Sequence, residues 1–286
     1  FGLEGLVARE LARLGIEAKA ENGGARFFGS FEDAFRANLH ARCADRILLV
    51  MGRFEARSFE ALFEGVRALP WEDFIGEHTR FPVNGKCVRS QLMSVRDCQA
   101  ITKKAIVERL RGRYRTDWFV EDAETVSIDV ALHGDVAQLT LDASGTALNR
   151  RGYRTWNGEA PLRETLAAAL VTLSPWRPGM PLHDPMCGTG TLMIEAAMRM
   201  AHRAPGLTRE FAIESWRNMP TEAFGDIREQ ARAEFDPSRI EGISGSDIDP
   251  EAVELANRHL KQAGLAGRVR FETADMRDCR RAEPQG

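Results

Sequence analysis

The sequence lacks any long apolar run, and this absence argues against a membrane-spanning protein. No hydrophobic stretch approaches the roughly 18 to 20 residues that a helix needs to cross a bilayer. The opening segment, FGLEGLVARELARLG, carries two Glu and two Arg within its apolar pattern, which is unlike a signal peptide. We therefore expect no membrane association and a cytoplasmic location.

Cysteine patterns typical of metal sites or disulfide frameworks are also missing. The chain has five cysteines, which form no CxxC pair and no zinc-like spacing with histidine: Cys43, Cys87, Cys98, Cys187 and Cys279. Reduced thiols that act as small hydrophobic residues are the simplest interpretation. We predict no disulfide and no bound metal.

An excess of positive charge over the whole chain is absent as well. The formal net charge of -3 argues against a uniformly basic nucleic-acid binder, although a local basic surface stays possible. The length of 286 residues suggests about two domains at roughly 100 to 200 residues each. The pattern of apolar residues along the chain divides it into three regions.

The N-terminal half reads as two α+β modules. Over residues 1–66, an amphipathic helix (2–14), a turn at Asn22–Gly24, short strands and further helices fit a ferredoxin-like subdomain. Over residues 67–146, we predict a strand near 79–83, a helix at 96–112 and a hairpin formed by 125–131 and 136–142. The remainder, residues 147–286, alternates strands and helices in a way that indicates a mostly parallel, doubly wound sheet.

A glycine-rich turn begins the third region. The segment DPMCGTGT spans Asp184 to Thr191 and runs directly into the helical stretch LMIEAAMRMA. Gly188 and Gly190 allow a sharp turn and close approach of a ligand, and Thr191 can cap the helix. A dinucleotide fingerprint would have a third glycine where this chain has Met193, which argues against NAD or FAD.

Two further strand ends carry carboxylates. In GSDIDP, Asp249–Pro250 meets the capping need of the next helix, which leaves Asp247 available to accept the ribose hydroxyls of an adenosine. In TADM, Asp275 can accept from an adenine amine while the amide of Met276 faces a ring nitrogen. The alternatives are a turn-and-cap role for Asp247 and a solvated loop for Asp275.

Together these segments resemble a known family. DPMCGTGT, GSDIDP and TADM look like motifs I, II and III of class I S-adenosylmethionine-dependent methyltransferases, and APLRETLAA looks like the preceding motif X. With RRGYR before it, the pattern is similar to the THUMP-domain RNA methyltransferases that modify guanine N2, above all the bacterial 23S ribosomal RNA large-subunit enzymes. The fold implied is a ferredoxin-like and THUMP region followed by the first half of a Rossmann-like methyltransferase domain.

The resemblance implies S-adenosylmethionine as cofactor and a set of residues around it. Those expected to bind it are Ala160, Leu162, Thr165, Asp184, Cys187, Gly188, Thr189, Gly190, Thr191, Asp247, Ile248, Asp275 and Met276. Of these, Ala160, Leu162 and Thr165 would close the methionine end of the site, and Ile248 would pack on adenine. Cys187 would be a small loop-packing residue rather than a nucleophile.

Residues 76–116 contain ten basic side chains against three acidic ones, a local excess that suits phosphate contact. The stretch FPVNGKCVRSQLMSVRDCQAITKKAIVERL resembles the core of a THUMP domain. The resemblance implies an RNA partner, 23S ribosomal RNA or its assembly intermediates, contacted by Lys86, Arg89, Lys103 and Lys104. By composition alone, a solvated amphipathic helix is the alternative.

The catalytic motif of this family, an Asn/Asp-Pro-Pro-Tyr/Phe turn after the fourth strand, does not occur in the sequence. We therefore name no catalytic residue and predict that this chain alone is inactive. Three other activities stay open: an N6-adenine DNA methyltransferase, a tRNA guanine-N2 methyltransferase, and a non-catalytic RNA-binding protein.

Overall fold

The structure is a computed structural model that describes residues 2–116, 118–154 and 162–279. The chain divides into two compact units, and each is described by itself. The first unit contains Phe1–Asp45, Ala147–Glu210 and Glu222–Gly286, and the second contains Arg46–Thr146 and Phe211–Thr221. Residues 46–66, which the sequence placed in the first predicted domain, group with the second unit in this division.

The N-terminal part of the first unit is a small helix and hairpin layer. Its elements are α1 (Glu4–Arg13), β1 (Ala18–Glu21), β2 (Gly24–Phe27) and α2 (Phe31–His40), and the two strands pair antiparallel. The predicted end of α1 is confirmed, because Gly15 adopts a positive φ of 77° just after the helix. Ser30 and Asp33 form a reciprocal capping box that starts α2.

The second unit is a four-stranded sheet with two helices on one face. Its elements are β3 (Leu48–Glu55), α3 (Phe59–Arg67), β4 (Val83–Val88), α4 (Val95–Tyr114), β5 (Ile128–His133) and β6 (Val136–Asp142). The strand order is β3-β6-β5-β4, with β4 and β5 parallel and the other pairs antiparallel. The predicted hairpin is confirmed, since Gly134 and Asp135 turn the chain with positive φ.

One predicted strand lies elsewhere. The expectation of a strand near 79–83 was wrong, because β4 begins at Val83 and Arg80 makes only an isolated bridge to Thr125. The buried Thr79 hydroxyl donates to Glu124 and accepts the backbone N–H of Gly76, which stabilises the bend at residues 77–78 just before this stretch.

The remainder of the first unit is a parallel αβ layer, as the sequence predicted. Its elements are α5 (Glu164–Leu173), β7 (Leu182–Asp184), α6 (Thr191–Met200), α7 (Thr221–Glu234), β8 (Ile243–Asp247), α8 (Pro250–Gln262) and β9 (Arg270–Thr273). The strands pair in parallel in the order β7-β8-β9. Apolar residues of α6 and α8, including Met193, Ile194 and Leu260, are buried in one cluster with Phe271 of β9.

Among the described residues, no helix combines the length and the apolar character needed to cross a membrane.

Candidate functional site

The carboxyl ends of three parallel strands meet at one edge of the sheet. In the register of the sheet, Asp184 of β7 lies opposite Gly245 of β8, and Asp247 lies opposite Thr273 of β9. The loops that leave these strands are therefore neighbours, and Ala274 donates its N–H to the Asp247 carbonyl at 2.9 Å. A ligand that touches all three loops would bind at this edge, as is general in open α/β sheets.

The loop after β7 is a tight turn held by short-range hydrogen bonds. Met186 donates its N–H to Asp184 Oδ1 at 3.1 Å, and Gly190 donates to the Cys187 carbonyl at 2.9 Å. Gly188 and Gly190 have φ values of 51° and 77°, in the left-handed region that favours glycine. Gly190 is the N-cap of α6, and within the described part of the chain no side chain caps this end of the helix through it.

The two glycines of this loop are required for different reasons. A Cβ on Gly190 would lie 2.8 Å from Phe271 Cζ and 2.9 Å from Ala256 Cβ, so packing beneath the loop excludes any side chain. Among the residues that the structure describes, a Cβ on Gly188 would meet no atom within 4 Å. Gly188 thus borders open space, the condition that a ligand-contacting glycine must satisfy.

Asp247 joins the loop after β7 to the loop after β8. Its Oδ2 accepts the N–H of Gly188 at 2.8 Å and its Oδ1 accepts the N–H of Asp249 at 3.0 Å. Asp249 does cap α8, as predicted, by accepting from Glu251 at 2.9 Å. It was wrong to expect that this would leave Asp247 free of structural contacts, since Asp247 accepts two backbone N–H groups. A carboxylate has about four lone-pair sites, so two remain for ribose hydroxyls.

Cys187 lies beneath the loop rather than at its surface. Its side chain is buried, and a Cβ on Gly245 would lie 2.9 Å from Cys187 Cβ. Burial and the nearby carboxylates of Asp184 and Asp247 raise the pKa of the Cys187 thiol to about 12. A thiol that stays protonated is a poor nucleophile, which agrees with the packing role predicted for this residue.

The loops after β8 and β9 present apolar side chains to solvent. Ile248 is 68% exposed and Met276 is 51% exposed. Asp275 caps the following turn, and its carboxylate is held by Arg277, whose Nε lies 3.0 Å from both carboxylate oxygens. The hydrogen bond from Arg277 lowers the pKa of Asp275. Arg277 thus binds the Asp275 carboxylate, which the sequence analysis predicted to accept a hydrogen bond from adenine.

The expected methionine end of the site lies where α5 begins. Ala160 falls outside the described residues. Leu162 is partly exposed, whereas Thr165 is buried and donates its hydroxyl to Asp45 Oδ1 at 2.9 Å. Thr191 does not cap α6 as the sequence suggested, because it is the first helical residue and its hydroxyl accepts from Arg154.

Thr189 contributes its backbone to the same loop. Its carbonyl lies 3.2 Å from Nδ1 of His259, a fully buried residue of α8. This contact ties the loop after β7 to the helix that follows β8. Sequence reasoning assigned neither Arg154 nor His259 to this loop. Arg154 ends the RRGYR segment, which indicated the family but no role for this side chain, and His259 belongs to no motif, so only the packing brings them to this loop.

The four basic residues predicted to contact RNA do not lie together. Lys86 is exposed on β4, on the face opposite α4, because the alternate residue Cys87 points to Cys98 of that helix with 3.7 Å between the sulfurs. Arg89 is exposed just beyond the strand. Lys103 and Lys104 lie on α4, on the other side of the sheet.

Lys103 already has internal partners. Its Nζ donates to the Phe81 carbonyl at 2.9 Å and to Glu121 Oε1 at 2.5 Å, and it sits 3.6 Å from the centre of the Phe81 ring. Lys104 is exposed and lies 5.9 Å from the ring centre of Phe63. A phosphate would have to compete with these contacts at Lys103, whereas Lys104 keeps its charge at the surface.

The open face of the four-stranded sheet carries a second cation that sequence reasoning missed. In the register of the four strands, Arg53 lies opposite Gln138, Gln138 lies opposite Ala131, and Ala131 lies opposite Lys86. Arg53 and Lys86 therefore share one face, at about 14 Å between backbones for three strand spacings. Only the strand order and register could identify this pair, because the two residues are 33 positions apart in the chain.

Comparison with known proteins gives three family matches along the chain. Residues 1–48 match the RlmL ferredoxin-like domain, residues 56–142 match the THUMP domain, and residues 151–285 match the RMKL-like methyltransferase domain. Among curated proteins, "Putative RNA methyltransferase YpsC" of Bacillus subtilis (strain 168) is 42% identical over 280 residues, covering 97% of this chain and 73% of YpsC.

Two solved structures share the fold. A structure described as a predicted N6-adenine-specific DNA methylase from Listeria monocytogenes str. 4b F2365 has a TM-score of 0.95 and 43% identity, over 99% of this chain and 74% of that one. SMU.472, described as a "putative methyltransferase complexed with SAH", has a TM-score of 0.94 and 38% identity, over 99% and 75%.

These matches define a class of protein in which ferredoxin-like and THUMP domains precede a methyltransferase domain. The chain belongs to the family of THUMP-containing, RlmL-like RNA methyltransferases that includes YpsC. The fold class and the family predicted from the sequence are thereby confirmed. The cofactor prediction agrees with the S-adenosylhomocysteine in SMU.472, because that molecule is the demethylated product of S-adenosylmethionine.

Proposed function

We propose that this chain binds S-adenosylmethionine at the edge formed by the ends of β7, β8 and β9. The observation that carries the proposal is the hydrogen bond between Gly188 and Asp247, which sets an open glycine backbone beside a carboxylate that has acceptor sites left. Exposed Ile248 and Met276 follow on the neighbouring loops and offer an apolar surface for adenine. The residues present therefore fit the cofactor.

Within this proposal each loop has a separate task. Asp247 accepts the ribose hydroxyls with the lone pairs that Gly188 and Asp249 leave free. Gly188 and its neighbours, together with Leu162 at the start of α5, surround the methionine moiety. Bound there, the cofactor supplies a methyl group on a sulfonium, and the task of the chain is to hold that methyl group in a fixed direction toward the acceptor, which is worth up to about 7 to 11 kcal/mol in well-oriented reactions.

We further propose that the acceptor is guanine N2 in large-subunit ribosomal RNA. The THUMP match over residues 56–142 and the RNA methyltransferase name of YpsC support an RNA substrate, and the resemblance of the RRGYR to DPMCGTGT region supports guanine N2. A basic pair on the open sheet face, Arg53 and Lys86, is available for phosphate contact. Arg53 therefore takes the place of Lys103 in the proposed interface.

Binding of the cofactor product tests the first proposal directly. Titration calorimetry of the chain with S-adenosylhomocysteine should give a saturable heat with one site, and NAD should give none. A chain that is folded by circular dichroism but shows no heat would refute the cofactor proposal, and it would favour the non-catalytic RNA-binding alternative.

The nucleic-acid substrate needs a separate experiment with the full gene product. Tritiated methyl from S-adenosylmethionine should enter ribosomal RNA stripped of modification, with N2-methylguanine as the product after nuclease digestion. Methylation of DNA to give N6-methyladenine is the second candidate, since the Listeria structure is described as a predicted enzyme of that kind. Label in tRNA but not in ribosomal RNA would overturn the proposed substrate and keep the RNA class.

A further inference from the structure

A buried arginine lies at the junction between the loop after β7 and the start of α5. The side chain of Arg154 is only 9% exposed. Its Nη2 donates to the Leu162 carbonyl at 2.9 Å and to the Thr191 hydroxyl, and its Nη1 lies 3.6 Å from Glu164 Oε1. One guanidinium thus joins the first residue of α6 to the segment that leads into α5.

The position of Arg154 is itself fixed by the residues before it. Arg151 is buried, donates to the Leu148 carbonyl at 2.7 Å and lies 3.4 Å from Glu195 Oε1. The hydroxyl of Tyr153 donates to the same Glu195 oxygen at 3.2 Å. Thr191 and Glu195 are four positions apart on α6 and so share one face of the helix. Residues 151–154 are therefore held along this face at two points, one turn apart.

The fork of the guanidinium suits this task better than any other cation. Arginine presents several donors in a rigid plane, so it can hold two acceptors at a fixed separation, whereas the ammonium of lysine is a point charge on a flexible stem. Within the described part of the chain, the buried Nε of Arg154 has no hydrogen-bond partner. An unpaired buried donor is unfavourable, so this junction retains capacity for one more acceptor.

We propose that Arg154 is a positioning residue for the methionine end of the cofactor site. It holds Thr191, and through it the adjoining Gly190 turn, at a fixed distance from Leu162, and these two segments border the methionine moiety in the proposed site. The inference rests on the proposed cofactor function. It predicts that Arg154 matters for ligands that carry the amino-acid end of the cofactor and not for those that end at the ribose.

Two ligands separate this role from a general contribution to stability. S-adenosylhomocysteine carries the methionine-derived end, and 5′-methylthioadenosine lacks it while keeping adenine and ribose. We expect Arg154→Gln to weaken the affinity for S-adenosylhomocysteine by about tenfold or more, because the loop at Thr191 loses the charge-assisted hydrogen bond that positions it. The affinity for 5′-methylthioadenosine should change by less than about twofold. Arg154→Lys should recover part of the loss, since it keeps the charge.

Two further variants keep the test decisive. Arg154→Gln leaves the buried carboxylate of Glu164 uncompensated, so the double variant Arg154→Gln/Glu164→Gln removes both charges and should show the same ligand selectivity. Arg232→Gln, which removes an exposed pair with Glu229 on α7, is the matched control and should bind both ligands as the unmodified chain does.

The outcomes are distinct. Equal weakening of both ligands, or no weakening of either in the folded double variant, would overturn the positioning role and leave the cofactor proposal standing. Binding of neither ligand by the unmodified chain would refute the cofactor proposal, and the inference on Arg154 would fall with it.

Discussion

Replacement of Asp247 is the most informative single perturbation of the proposed site. Its carboxylate accepts two backbone N–H groups, at 2.8 and 3.0 Å, and has two acceptor sites left for the ribose. A hydrogen bond to a charged acceptor contributes about 1.5 to 3 kcal/mol, or about 10- to 150-fold in affinity. We expect Asp247→Ala to weaken S-adenosylhomocysteine by at least this much, because the Gly188 amide also loses its acceptor.

A second substitution separates the contribution of Asp247 to ribose binding from its contribution to the loop. Asp247→Asn keeps the size of the side chain and one carbonyl oxygen, which can still accept from Gly188, so about tenfold weakening is expected from the lost charge. Calorimetry at neutral pH measures the affinities, and thermal unfolding without ligand measures the loss of stability. Both variants should unfold in a single transition, since their other contacts persist.

Asp249→Ala is the matched control because it removes the same side chain two positions later. Asp249 caps α8, so its loss should reduce the free energy of unfolding by about 0.5 to 2 kcal/mol while the ligand affinity stays within about twofold. If Asp249→Ala weakened S-adenosylhomocysteine as much as Asp247→Ala did, the ribose role of Asp247 would be refuted, and loop stability alone would explain both effects.

Three other predictions concern the loop glycines, the basic surface and the buried thiol. Gly190→Ala should lower the free energy of unfolding by several kcal/mol, because its Cβ would overlap Phe271. Gly188→Ala should cost only about 1 to 2 kcal/mol of backbone strain, yet it should weaken the binding of S-adenosylhomocysteine. Thermal unfolding and calorimetry distinguish the two variants, and equal stabilities would contradict the packing of Gly190 against Phe271. Lys86→Glu should weaken RNA binding and lower the dependence of log affinity on log salt concentration by about 1. Lys103→Gln should mainly lower the melting temperature, since Lys103 is internally paired. A larger change in the salt dependence for Lys103→Gln than for Lys86→Glu would place Lys103 rather than Lys86 at the RNA. Cys187→Ala should retain S-adenosylhomocysteine binding. In the unmodified folded chain, the pKa of about 12 keeps the Cys187 thiol protonated at pH 8, so alkylation by iodoacetamide should be slow and should accelerate only as the pH approaches 12. Rapid labelling of Cys187 at pH 8 would contradict its burial.

The sequence alone determined the class of fold and the location of the loops. Strand ends, glycine turns and caps are local features, because a residue such as Gly190 or Asp249 adopts its conformation largely through its nearest neighbours in the chain. The alternation of strands and helices then implied a parallel sheet, and a parallel sheet places successive strand exits at one edge. For this reason, the sequence alone predicts that Gly188 and Asp247 are neighbours.

What the tertiary structure decided was which partners each side chain has. Lys103 and Lys104 are adjacent in sequence, yet one is paired with Glu121 and the other is exposed, because only Lys103 points toward the Phe81 carbonyl. Arg53 and Lys86 share a face only through the order of four strands. Arg154 reaches Thr191 across 37 positions. Such contacts depend on the packing of distant segments, which no local pattern encodes, and they select among residues that composition makes equivalent.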